Sequence, residues 1–218
     1  PYLIHDVLDD IVRWKSEADA IVVSVHWGEE HVPYPAPWQV RDARRMIDAG
    51  AALVLGHHNH MFQGIELYKG RLIAYSLGNF LASDIRWSGP ARSYAYALRE
   101  IDREGIVLRC GLTRGGVRSF DCLPIRVQED GRVSVCEGKQ VEEIRAKLAE
   151  RSAPLALDDY EGFWRNFRME RSVYGPLRKW WRNGGVADKV RRLRLADVRR
   201  AGAMAREALG RRTKPERV

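Results

Sequence analysis

The sequence predicts an α/β fold in which a βαβ unit runs into antiparallel strands and then into a basic helical appendage. Three observations predict it. Two short runs rich in Val, Ile and Leu, residues 20–25 and 51–56, flank a helical pattern, and buried parallel strands read this way. Beyond them, apolar runs alternate with Gly-containing turns. From residue 141 onward apolar residues recur at helical spacing among many basic ones.

The elements follow in order. Residues 5–16 place Val7, Leu8, Ile11, Val12 and Trp14 near one face of a helix. Residues 20–25 form a strand expected to be buried on both faces. A loop with Pro33, Pro35 and Pro37 leads to a helix over 38–49, closed by Gly50. The next strand, 51–56, ends at Gly56-His57-His58-Asn59-His60. Strand, helix, strand in this order makes the two strands parallel. A hairpin then turns at Lys69-Gly70. Residues 93–101 and 105–113 are expected to form one antiparallel pair. Residues 119–127 and 131–136 form another, turning near Asp130-Gly131. The division expected is a domain over 1–140 and a basic helical tail over 141–218.

Composition narrows the function classes. The chain has 218 residues, 45% hydrophobic and 30% charged, which is globular rather than disordered. It contains no apolar run of about 18 residues, the length that spans a bilayer. Its formal net charge is +8, and the basic excess lies in residues 161–218, which hold 17 Lys/Arg against 6 Asp/Glu. Such a tail suits an anionic membrane surface, and there Phe163, Trp164, Phe167, Trp180 and Trp181 stand among basic residues. A solvated helix or aromatic packing onto the domain is the alternative. Nucleic acid is disfavoured, because only the tail charge speaks for it. Cys110, Cys122 and Cys136 lack paired-cysteine spacing and are expected in the core rather than in a disulfide or zinc site.

The histidines carry the chemistry. All six lie within residues 1–60. His5, on an exposed helix, and His31, in a loop, are expected to be solvated. His26 follows the first parallel strand, and His57, His58 and His60 follow the second. The carboxyl edge of such a sheet is where ligands bind. His26, His58 and His60 are therefore candidate metal ligands or acid–base groups. The His58-x-His60 step suits one ion or two. Glu29 and Glu30 stand close after His26. Either could orient an imidazole, act as acid or base, or be a polar loop residue. Ser76-Leu77-Gly78-Asn79-Phe80 ends the strand of residues 71–76. Asn79 can bond to backbone or ligand, whereas Ser76 lacks a nucleophile motif.

The segments Asp19–Glu30, Met46–Gly70 and Arg71–Phe80, with His26-Trp27-Gly28-x-Glu30, Gly56-x-His58-x-His60 and Ser76–Phe80, closely resemble the CapA-type capsule-synthesis family associated with poly-γ-glutamate. The resemblance is dense over residues 5–85 and loose to residue 136. It implies a calcineurin-like metallo-dependent phosphatase fold, present here in part. It gives His26, His58 and His60 the role of metal ligands, with Glu30 and Asn79 as further catalytic positions beside His26. It implies one or two divalent ions, Mn, Mg, Fe or Zn, in the complete protein, and capsule-synthesis machinery as partner. Asn59 stands where the family usually has proline, and His57 where it varies. The family's early Gly-Asp, Asn-Leu-Glu and Asn-Asn-His motifs are expected upstream of residue 1. The reaction stays open among a metal-dependent hydrolase, a phosphoesterase, and a non-enzymatic membrane-associated assembly factor.

Overall fold

The computed structural model describes residues 3–90, 92–114 and 116–174. The chain divides into two compact units, Pro1–Trp164 and Arg165–Val218.

In the first unit, helix α1 (Ile4–Trp14) precedes strand β1 (Val22–His26), helix α2 (Pro37–Ala49) and strand β2 (Leu53–His57). Proline at the first turn suits α2, since it gives up an N–H that has no helical partner there. The buried Gln39 side chain returns to accept the Ala36 N–H at 2.9 Å. Strands β3 (Ile65–Tyr68) and β4 (Arg71–Ala74) form the expected hairpin. Lys69 and Gly70 both take positive φ, 50° and 73°, which a two-residue turn of this hand requires. The sheet order is β1-β2-β4-β3, with β1, β2 and β4 parallel and β3 antiparallel. The βαβ unit is thus as expected.

β1 differs from expectation. Val22, Ser24 and His26 are exposed along it. Among the described residues it pairs only with β2, so one face and one edge remain open.

The later strands are also repaired relative to expectation. Strand β6 (Ser93–Tyr96) pairs with β5 (Ile85–Ser88), not with the strand that follows it. A 3-10 turn at Glu100–Arg103 separates β6 from β7 (Glu104–Thr113). β7 pairs instead with the long β8 (Gly116–Val127), which also pairs with β9 (Val133–Val135). Gly116 at φ 127° lies at the β7–β8 turn. The expected pairing of 119–127 with 131–136 holds through β8 and β9.

The core lies between the first sheet and helices α1 and α2, around Met46, Val54, Ile73 and Tyr75, all fully buried. Helix α3 (Lys139–Ser152) closes a second cluster, where Ile144 meets Phe62, Ile106 and Cys136. Arg151 donates to the Phe62 carbonyl, and Ser152 Oγ accepts the Ile65 N–H at 2.9 Å. Helix α4 (Tyr160–Met169) places Tyr160, Phe163 and Trp164 against the main core. Residues 141–164 therefore pack with the α/β unit, although their helical pattern and basic surroundings set them with the tail in sequence. Cys136 is buried, while Cys110 and Cys122 are half-buried, and all three are free thiols.

In the second unit, Arg165–Met169 completes α4 and Glu170–Tyr174 forms a π-helical turn. The remainder of the basic tail, including Trp180 and Trp181, lies outside the described residues. Among the described residues no helix is long and apolar enough to cross a membrane.

Candidate functional site

Three parallel strands end at one edge of the sheet. β1 delivers His26, β2 delivers His57 to His60, and the chain leaving β4 delivers Asn79. Two contacts fix the strand ends. Trp27 N–H donates to the His57 carbonyl at 3.2 Å, and the buried Trp27 indole donates to the Tyr75 carbonyl at 3.1 Å. Gly56 permits that approach, because a Cβ there would stand 1.8 Å from the Tyr75 oxygen.

The loops beyond the strands bend tightly. His31, His58 and His60 all take positive φ, 59°, 95° and 61°. Residues other than glycine hold this conformation at a cost of order 1–3 kcal/mol, and such strain gathers at functional sites. Here the loops are tied to each other. His31 N–H donates to the Asn59 carbonyl at 2.8 Å, and the buried Asn59 amide donates to the Glu29 carbonyl. Gln63 holds the Val32 carbonyl at 2.8 Å, and Tyr160 holds that of Pro35 at 2.7 Å.

This framework gathers the imidazoles. His26 Nε2 lies 2.8 Å from His58 Nδ1, with ring centroids 4.6 Å apart. The His58 and His60 rings are 6.3 Å apart. His60 Nδ1 meets Asn79 Oδ1 at 3.0 Å, while the Asn79 amide donates to the Asp102 carbonyl at 2.8 Å. His57 pairs with His26 in register across the strands. Burial, and then the neighbouring His26, lowers its pKa below the ordinary histidine value.

The sequence set His31 aside as solvated, and the structure brings it in. Its Nδ1 lies 3.0 Å from Oδ1 of Asp102, a side chain fully removed from solvent. Asp102 also accepts from the Tyr96 hydroxyl at 2.6 Å and from both arms of the Arg99 guanidinium at 2.8 Å. Tyr96 stacks on His31 at 5.9 Å, and the His31 and His60 rings are 5.8 Å apart. Glu30 sits on this side of the loop, with Oε2 3.9 Å from His31 Nε2, rather than against His26. Asp102, Arg99 and Tyr96 belong to no local motif. Tyr96 ends β6, Arg99 caps the turn at Glu100–Arg103 and Asp102 lies within it, far in sequence from the loop that carries His31.

The donor set fits a divalent ion in part. Two nitrogens bound to one ion at about 2.0–2.1 Å lie roughly 3 Å apart, and His26 Nε2 and His58 Nδ1 meet that spacing. The Asn79 contact leaves the other nitrogen of His60 for a ligand, the usual arrangement in metal sites. Among the described residues, however, no three His, Cys, Asp or Glu side chains stand together as a complete ligand set.

Comparisons with known proteins cover the same segment of the chain. The sequence profile described as bacterial capsule synthesis protein PGA_cap matches residues 4–84. The chain is 36% identical over 115 residues to capsule biosynthesis protein CapA of Bacillus anthracis, covering 53% of this chain and 25% of that one. It is 36% identical over 115 residues to PGA biosynthesis protein CapA of Bacillus subtilis, covering 53% and 27%. It is 33% identical over 127 residues to a probable polyglutamine synthesis accessory protein of Mycobacterium tuberculosis, covering 56% and 32%. The aligned part spans about a quarter to a third of each relative's length. All the strand-end histidines and Asn79 lie inside the matched segment, and over that segment the chain is similar to the CapA-type bacterial capsule synthesis family.

Proposed function

We propose that this chain is part of a protein working in the production of capsular poly-γ-glutamate, with capsule-synthesis machinery as its partner. In this reading His26, His58 and His60 belong to a metal-dependent, hydrolase-like site of metallophosphatase type. The observation that carries it is the 2.8 Å approach of His26 and His58 at the ends of adjacent parallel strands. The names of the Bacillus relatives supply the capsule context.

His26, His58 and His60 would hold the ion, Mn, Mg, Fe or Zn, together with ligands from outside the described residues. Bound there, it would polarise an acyl or phosphoryl oxygen or lower the pKa of a water. Asn79 fixes the His60 ring through Nδ1. Glu30, an exposed residue of the same loop, would take or give a proton to a bound substrate. A second reading, a non-enzymatic assembly factor, draws on the accessory role in the name of the mycobacterial relative.

Calorimetric titration of the chain with Mn²⁺ and Zn²⁺ tests the site. His26→Ala and His58→Ala should each abolish most of the binding. Binding indifferent to both substitutions would remove the metal role. Hydrolysis of γ-glutamyl and phosphoester model substrates by the metal-loaded protein separates the enzyme from the assembly factor.

A further inference from the structure

Beside the histidines lies a cavity of about 330 Å³, within the size range of small-molecule sites. Its lining is of two kinds. Leu81, Ile85, Tyr94 and Leu98 make it apolar. The hairpin register explains part of this. Ile85 pairs with Tyr96 and Trp87 with Tyr94, which sets Ile85, Tyr94 and Tyr96 on one face. Glu30, His31, His60 and Asn79 supply the polar part.

The polar part is made of acceptors. Burial pushes the Asp102 carboxyl up, but the hydrogen bonds from Arg99 and Tyr96 outweigh burial and keep the group ionised. A carboxylate can only accept. Its 3.0 Å contact with His31 therefore puts the proton of the neutral imidazole on Nδ1 and leaves a lone pair on Nε2. That Nε2 stands 3.4 Å from the Tyr96 oxygen, whose proton goes to Asp102 at 2.6 Å. Glu30 Oε2 lies 3.9 Å from the same Nε2. The gap is too wide for a direct hydrogen bond, and one donor atom can stand about 2.9 Å from both groups. Asn79 gives its amide to the Asp102 carbonyl, so its oxygen accepts from His60 Nδ1. Among the described residues no lysine or arginine lines the cavity, and the neighbouring Arg99 charge is matched by Asp102.

We propose that this cavity binds a primary amine carried on an apolar body, with the ammonium between Glu30 and His31 and the body against Ile85, Tyr94 and Leu81. The proposal goes beyond the function above and needs no ion at His26 and His58. An ammonium has three donors and no acceptor, which complements a lining of acceptors that carries the Glu30 charge. A carboxylate or phosphate would meet that charge as a like one and find no cation in the lining. A neutral apolar molecule would leave the Glu30 and His31 acceptors unmatched. The body has its own place, because Leu81 and Tyr94, 73% and 55% exposed, lose contact with water when it binds.

The test is titration of the 218-residue chain, without added metal, with probes of one shape: phenethylamine, phenethyl alcohol and hydrocinnamate. At about pH 8 the amine is charged while imidazoles are ordinarily neutral. Amide resonances follow the binding. The amine should bind at least about tenfold more tightly than the carboxylate, with the alcohol between them. Glu30→Gln should weaken the amine about five- to tenfold and bring it level with the alcohol. Tyr94→Ala should weaken amine and alcohol alike, by about threefold. Glu129→Gln, which removes an exposed charge between β8 and β9, should change neither. The ring nitrogens of His31, assigned by comparison with His31→Gln, should show the proton on Nδ1. The amide fingerprint of each variant confirms that the rest of the fold is intact. Carboxylate binding as tight as that of the amine would overturn the proposal. So would amine affinity indifferent to both Glu30→Gln and Tyr94→Ala, a His31 proton on Nε2, or no amine binding at about 10 mM. None of these outcomes bears on the metal reading, which the titrations of the His26 and His58 variants decide separately.

Discussion

The Asp102 carboxylate lies 3.0 Å from Nδ1 of His31, although 71 positions separate them in sequence. Burial pushes the Asp102 carboxyl up. The hydrogen bonds from Arg99 and Tyr96, together with the Arg99 charge, outweigh burial and hold it well below the usual carboxylate range. A carboxylate whose folded pKa is depressed stabilises the fold above its unfolded value of about 3.9. That contribution is lost as pH falls through the folded value. Asp102→Asn should lower stability at pH 7 by about 3 kcal/mol, the lower end for breaking a buried pair, since Arg99 is half exposed. The variant's stability should also fall less steeply between pH 4 and pH 2. Urea denaturation across this range checks it, and parallel profiles for parent and variant would show that Asp102 is not the linked group.

Gly56→Ala should destabilise the sheet edge on which the site is built. The new methyl would meet the Tyr75 carbonyl at 1.8 Å and the Trp27 indole nitrogen at 2.5 Å. Both obstacles belong to the bond that positions β1 against β4, so the strands must part rather than a flexible side chain turn aside. Overpacking of this kind costs about 1–3 kcal/mol or more. The expected readout is a lower urea midpoint with quenched or shifted Trp27 emission. A midpoint equal to the parent's would mean that the strand ends are free to move.

The parallel βαβ unit was legible because its signal is local. Two apolar runs, the proline-led helix and Gly50 suffice to order β1, α2 and β2, and they carry His26, His58 and His60 to one edge. The open face of β1 was not legible, since Val22 and Val23 read alike whether or not a neighbour covers them. The pairing of β5 with β6 was missed because Ile85–Ser88 is a four-residue strand, fully exposed, with no buried alternation to mark it. His31 was missed for a different reason. Its partners Tyr96, Arg99 and Asp102 come from a segment whose return to the loop depends on tertiary packing, and no spacing within the loop announces them. Helix α3 carries its apolar contacts at Val141, Ile144 and Leu148, but a basic, amphipathic pattern does not say which core receives them.

Asn79→Ala should weaken metal binding without unfolding the chain. Asn79 holds His60 through Nδ1 and ties it to the Asp102 backbone. Removal of a group that orients a ligating imidazole costs about 10- to 100-fold in affinity. The expected result for Mn²⁺ or Zn²⁺ is a loss of at least tenfold, with a melting temperature near the parent's. Unchanged affinity would take His60 out of the ligand set and leave the His26–His58 pair as the core of the site.

The last prediction concerns residues 161–218. Their 17 Lys/Arg against 6 Asp/Glu repel one another unless spread out or met by anions. The aromatic residues of this segment divide. Phe163 packs edge-on against Tyr34 at 4.9 Å and lies 5.7 Å from Tyr160, so it serves the core. Trp180 and Trp181 lie outside the described residues, between Arg178, Lys179 and Arg182. That sequence suits the boundary between water and lipid, where rings and basic side chains are favoured together. Near an anionic leaflet each such charge contributes about 1 kcal/mol. The chain should therefore sediment with vesicles containing phosphatidylserine and not with phosphatidylcholine alone, and the binding should weaken as salt is raised. Reversing Arg178, Lys179 and Arg182 to glutamate should lower the partition by more than about tenfold. Binding that ignores lipid charge, salt and these reversals would assign the segment to packing, as Phe163 is assigned already.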